Sequence, residues 1–210
     1  MDAVVKNLLH ESGQTFAEEA GITLKDQPAA LFKLLVLANL LSARISSDIA
    51  IAAARELFEA GGGTARGMGK LSWQDRVDAL GRGHYVRYDE STASRLGDTA
   101  EMVQDKYQGD MRRLAIEAER DPKKAAELLQ EFPGIGPTGV DIFSREAQAI
   151  WPWLRPHIDD QVKKGAERLG LPTEAGELAG KVPDKDLARF TAALVRVAHD
   201  KKLADHLKAA

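Results

Sequence analysis

The residues of this 210-residue chain best suited to chemistry lie in its second half. Gly134-Ile135-Gly136 sits within Phe132-Pro133-Gly134-Ile135-Gly136-Pro137-Thr138-Gly139, between two segments of helical pattern. Glycines two apart remove side chains where a backbone must turn or come close to something. Ile135 between them is placed to plug into the helix pair. N–H groups at the start of the second helix can then hold an anion without any lysine. A tight turn with no ligand accounts for the same residues, and both readings stand at this point. The Gly-Lys-Ser/Thr of a nucleotide P-loop is missing, and no strand precedes the loop as a dinucleotide fingerprint requires.

Other candidates surround it. Asp159-Asp160 opens a short amphipathic helix, where an ordinary N-cap explains one aspartate and Asp160 is expected to be that cap. Asp141 lies three residues past Thr138 on the same helix face, where a carboxylate favours the positive helix start. His84, Tyr85, Arg87 and Tyr88 follow a break at Gly81-Arg82-Gly83. Aromatics interleaved with arginines suit base stacking and phosphate contact; tyrosines anchoring a core suit the same pattern. Trp151 and Trp153 precede Asp159, and their burial fixes the loop that feeds it. The five histidines are widely spaced and supply no three-ligand metal cluster. With no cysteine, disulfides, a thiolate nucleophile and a cysteine-bound iron–sulfur cluster are excluded.

Charge narrows the partners. The net charge of −3 and pI near 6.0 argue against a strong non-specific nucleic-acid binder. Within residues 62–88, however, Arg66, Lys70, Arg76, Arg82 and Arg87 oppose only Asp75 and Asp78. A polyanion is expected to meet that stretch first. No apolar run approaches 18 residues, and the N-terminus carries no secretion pattern, so a cytoplasmic, non-membrane protein is expected.

These residues need a scaffold, and almost every segment reads as helix. Leu31–Ala43 is apolar nearly all round and predicts a central buried helix. Ser46-Ser47-Asp48 caps a helix over Ile49–Ala60, and Ser72-Trp73-Gln74-Asp75 is a variant capping box for one ending near Leu80. Helices follow over Thr92–Tyr107 and Met111–Glu119. Asp121 with Pro122 starts another, Lys123–Glu131. Thr138–Ala149, Asp159–Leu169 and a last helix over Asp184–Leu207 complete an all-α chain of about ten helices. The whole of residues 1–210 reads as one compact, two-lobed unit.

Three blocks give the chain a resemblance. Leu40-Leu41-Ser42-Ala43-Arg44, the segment Phe132 to Phe143, and His157-Ile158-Asp159-Asp160-Gln161-Val162 occur in the order and form kept by the helix-hairpin-helix DNA glycosylases of the endonuclease III type. Arg168-Leu169-Gly170-Leu171 continues the usual ending. The likeness covers residues 25–172. Residues 173–210 hold helical pattern instead of the family's four-cysteine loop, with Phe190 and Leu194 expected against the N-terminal helix around Val5 and Leu8.

The resemblance implies a two-lobed helical glycosylase fold with double-stranded DNA held across the lobe junction. It implies a hairpin that grips phosphate through Gly134, Ile135, Gly136 and Thr138. A sodium or potassium ion is often held there, here at the carbonyls of Phe132 and Gly134, and no iron–sulfur cluster is expected. A damaged or mismatched base is flipped out and its N-glycosidic bond cut. Asp159 takes the place of the catalytic carboxylate, with Asp160 as the alternative if the register slips by one, and Asp141 as an auxiliary acid. Thr138 stands where bifunctional members carry a lysine, so no Schiff base forms and a monomeric, monofunctional enzyme is expected. Lys163 and Lys164 are read as solvated surface residues. Arg44 falls where the family pushes a side chain into the gap left by the flipped base; a plain surface arginine is the alternative. Tyr85, Tyr88, Trp151 and Trp153 are candidate walls of a base pocket. A non-catalytic binder of damaged or branched DNA is the competing function, and a helical protein-interaction domain the third.

Overall fold

The computed structural model describes residues 2–209. Its helices run α1 (Ala3–Ser12), α2 (Phe16–Glu19), α3 (Pro28–Leu41), α4 (Ser47–Leu57), α5 (Ala65–Lys70), α6 (Trp73–Arg82) and α7 (Asp89–Tyr107). There follow α8 (Arg112–Glu117), α9 (Pro122–Gln130), α10 (Pro137–Ala147), α11 (Asp160–Arg168), α12 (Ala175–Ala179), α13 (Leu187–His199) and α14 (Lys201–Ala209). Among the described residues there is no strand, and no helix is long and apolar enough to cross a membrane. The chain divides into two compact units, Ala17–Phe143 and Met1–Phe16 with Ser144–Ala210.

The continuous unit is built on α3. Pro28 occupies its first turn, and ten of its residues from Ala30 to Leu40 are buried, as an all-round apolar helix requires. Helix α4 packs against α3 and α6, its first turn capped by Ser46. A short π-helical turn, Phe58–Gly62, ends it where Gly61 takes φ 101°. Ser72 and Asp75 form a reciprocal capping box on α6. From that helix Arg76 reaches the carbonyls of Leu71 (2.7 Å) and Ala93 (2.8 Å), tying α6 to α7 and to the end of α5. Helix α5 is absent from the sequence expectation, because two glycines in six residues mask it; Thr64 caps it through the N–H of Gly67. At the far end of α7, Tyr107 packs its ring 6.1 Å from that of Phe132, anchoring the approach to the glycine hairpin.

The other unit is organised by α13, which is buried along most of its length against α11, α1 and α14. Helices α11 and α13 come so close that a β-carbon at Gly165 would lie 1.9 Å from the carbonyl oxygen of Leu194. Val5 and Leu8 bury one face of α1, and Arg189 holds its end through the Gly13 carbonyl (2.8 Å). The single last helix expected over 184–207 is in fact three pieces. A 3₁₀ turn at Asp184–Asp186 leads into α13, and Asp200 then breaks the helix at φ −122°, ψ 104°. Its carboxylate accepts from the N–H groups of Lys202 (2.8 Å) and Leu203 (3.1 Å), so it caps α14.

Candidate functional site

The hairpin between α9 and α10 is held from beneath by α3. Asn39, buried on that helix, donates its side-chain amide to the Pro133 carbonyl at 2.8 Å. Phe132 and Ile135 are buried, so Ile135 supports the hairpin from inside rather than from its exposed surface. The two glycines answer to different demands. Gly134 has φ +83°, and a β-carbon there would meet the Asn39 amide nitrogen at 2.8 Å and Arg95 Cδ at 3.0 Å. Its requirement comes from the protein itself. A β-carbon at Gly136 would meet no atom outside its chain neighbours within 4 Å. Nothing in the chain's own packing demands a glycine there.

Beyond Gly136 the start of α10 is open. Among the described residues, the N–H groups of Gly136, Thr138 and Gly139 donate no hydrogen bond, and Gly136 and Thr138 are exposed. Gly139 is buried instead, its missing side chain replaced by Ser42 Oγ and the Ile135 side chain at 2.9 and 3.2 Å from a β-carbon position. The end of α3 and the first turn of α10 are thereby fixed together. Arg44, two residues past Ser42, is exposed. Asp141 lies half-buried one turn beyond Thr138. The Gly134 carbonyl accepts no hydrogen bond among the described residues, while that of Phe132 accepts one, from Ile135 N–H at 3.0 Å. A carbonyl oxygen has two lone pairs, so both remain able to ligate a monovalent cation.

The segment after α6 keeps the basic and aromatic character that its sequence shows, with its parts separated. Tyr85 is 1% exposed, its phenol hydrogen-bonded to Thr92 and pushed above its ordinary pKa chiefly by burial. Tyr88 is half-buried with the Arg87 guanidinium 5.3 Å above its ring, and Val86 stands out into solvent.

Asp159 belongs to the other unit, and every polar atom of its carboxylate is engaged. One oxygen accepts from Gln161 N–H (2.8 Å) and Val162 N–H (3.0 Å), capping α11. The second accepts from Arg145 on α10 in an ion pair that is buried on both sides. Asp159, not Asp160, is therefore the cap; Asp160 lies inside the first turn with its side chain in solvent, as are Lys163 and Lys164. The loop leading to Asp159 is pinned by Gln148. Its side chain accepts from His157 N–H (3.0 Å) and donates to Thr191 (3.2 Å), while its carbonyl accepts from Arg155 (2.6 Å). Trp151 is buried and stacks on half-buried Trp153 at 5.2 Å.

Asn39, Arg95, Arg145 and Gln148 are absent from the sequence expectation. A buried asparagine in an otherwise apolar helix, and an arginine with a glutamine inside the apolar pattern of α10 and its end, were the signals available.

No protein-family model and no curated protein matches this sequence. Two solved structures of endonuclease III bound to DNA are similar to it in three dimensions. One is a trapped covalent intermediate with an estranged adenine: 17% identity over 91% of this chain and 81% of that one, TM-score 0.51. The other is a non-covalent complex: 16% identity over 91% and 80%, TM-score 0.54. At these identities the likeness is one of architecture, and this chain has the all-helical fold of endonuclease III.

Proposed function

We propose that this chain is a monomeric DNA N-glycosylase of the monofunctional kind, which grips double-stranded DNA by its hairpin and releases a damaged or mismatched base by hydrolysis. The observation that carries the DNA grip is Gly136. It is a glycine with open space where its side chain would be, and its own N–H and those of Thr138 and Gly139 donate no hydrogen bond among the described residues. That is a surface shaped for the close approach of a phosphate oxygen. A monovalent cation, when bound at the Phe132 and Gly134 carbonyls, supplies positive charge beside the same phosphate.

In the chemical step, Asp159 is the residue that answers to positive charge growing on the sugar as the base departs. One of its oxygens is committed to the start of α11, so the oxygen left for the sugar or for a water is the one that Arg145 holds. Thr138 lacks an amine, and the reaction ends at an intact abasic strand. The test is base release from duplexes bearing uracil, alkylated purines, oxidised bases or mismatches. Asp159→Asn is expected to lower release from the best substrate by on the order of 10²–10⁴-fold. Unchanged release would move the role to Asp160 or Asp141.

One observation favours a second reading, a binder of damaged or branched DNA without catalysis. The Arg145 guanidinium neutralises the carboxylate on which hydrolysis depends. Tight binding with no base release from any duplex of the panel would establish it.

A further inference from the structure

Arg95 stands on α7 beside the hairpin, its Cδ 3.0 Å from where a β-carbon of Gly134 would be. It is exposed and forms no ion pair among the described residues. Arg82, Lys106, Arg112 and Lys124 of the same unit each pair with a carboxylate, whereas Arg44, Arg66 and Arg113 share the unpaired state of Arg95 among the described residues. What distinguishes Arg95 is its place against the hairpin. An exposed guanidinium beside a neutral loop can take an anion that approaches that loop. Gly134 and Gly136 are two residues apart, so about 7 Å at most separates them. With its Cδ beside Gly134, the flexible guanidinium can reach an anion at or next to the undonated N–H groups at the start of α10. The planar fork of an arginine suits a phosphate's oxygens, which a helix start approaches from one direction only.

We propose that Arg95 is the side-chain half of the hairpin's phosphate grip: it binds the DNA backbone at or next to the phosphate that the α10 N–H groups receive, and it fixes the register of the strand without reading its sequence. This inference rests on the DNA-binding reading above and adds to it a residue on a different helix.

The test is fluorescence anisotropy with a short undamaged duplex, titrated between roughly 50 and 200 mM salt. Arg95→Ala is expected to weaken binding equally on duplexes of different sequence. The slope of log affinity against log salt is expected to become shallower by about one. Arg95→Lys, which keeps the charge, is expected to keep the slope. A parent protein that binds no duplex would overturn the DNA reading itself. A parent that binds, with Arg95→Ala matching it in affinity and slope, would overturn the role of Arg95 and leave the hairpin reading standing. An equal change in Arg113→Ala, which removes the same charge from α8, would reduce the effect to net charge and overturn it too.

Discussion

Arg145 and Asp159, fourteen residues apart, meet inside one unit with 5% and 4% of their side chains exposed. The guanidinium comes from the last turns of α10 and the carboxylate from the residue that caps α11, so the pair joins a helix end to a helix start. Its Nε is buried and has no hydrogen-bond partner. Two charges withdrawn from water to this degree tolerate the loss of either one poorly, because the survivor stays buried without compensation.

Arg145→Met is therefore expected to destabilise the protein by about 3–5 kcal/mol. The double variant Arg145→Met/Asp159→Asn is expected to recover much of that loss, since asparagine still caps a helix and carries no charge. Urea unfolding of the two variants and the parent measures both. A loss under about 1 kcal/mol for Arg145→Met alone would mean that the pair is not closed to water.

The two hairpin glycines separate folding from binding. Gly134→Ala forces a β-carbon into left-handed backbone, at roughly 1–2 kcal/mol, and against the Asn39 amide as well. A lowered melting temperature is expected. Gly136→Ala is expected to stay within about 0.5 kcal/mol of the parent. Gly136→Leu is expected to fold and to bind duplex DNA weakly. Normal binding by a folded Gly136→Leu would reduce the hairpin to a turn.

Borohydride trapping addresses Thr138. Mixed with a damaged duplex and reductant, the parent is expected to give no covalent protein–DNA adduct, and strand breaks only after alkali or heat. An adduct would assign lyase chemistry to a lysine elsewhere, with Lys163 and Lys164 the first to replace.

Of the glycines in the terminal unit, Gly165 leaves the least room for a side chain. Gly165→Ala sets a methyl group where the Leu194 carbonyl already lies, and α11 must move off α13. A loss of about 1–3 kcal/mol or more is expected by thermal denaturation. An unshifted melting temperature would show that the helices slide freely.

Much of this architecture was legible because helix starts are local. Ser46, the Ser72–Asp75 box and Asp121 with Pro122 each signal within four residues, and each caps the expected helix. Asp200 carries the same signal, yet the apolar spacing of Leu187, Phe190, Leu194 and Val197 predicts one continuous helix across it. In the sequence Asp159 and Asp160 are both competent caps; the helix start, which puts Asp160 inside the first turn, and the buried Arg145 guanidinium on Asp159, both set by tertiary packing, distinguish them. Asn39 meets Pro133 across 94 residues, and Arg95 meets the hairpin from another helix. No spacing rule reaches that far, so the hairpin could be seen in the sequence and its supports could not.

The division of the chain also orders its birth. A ribosome has delivered all of the Ala17–Phe143 unit while most of the other is still unmade. Helix α1, with Val5 and Leu8 on its apolar face, must await α13, which is finished only at His199. At 5–20 residues per second that interval is roughly 10–40 s. For that time nascent α1 carries an uncovered apolar stripe, which makes it the segment a chaperone would hold.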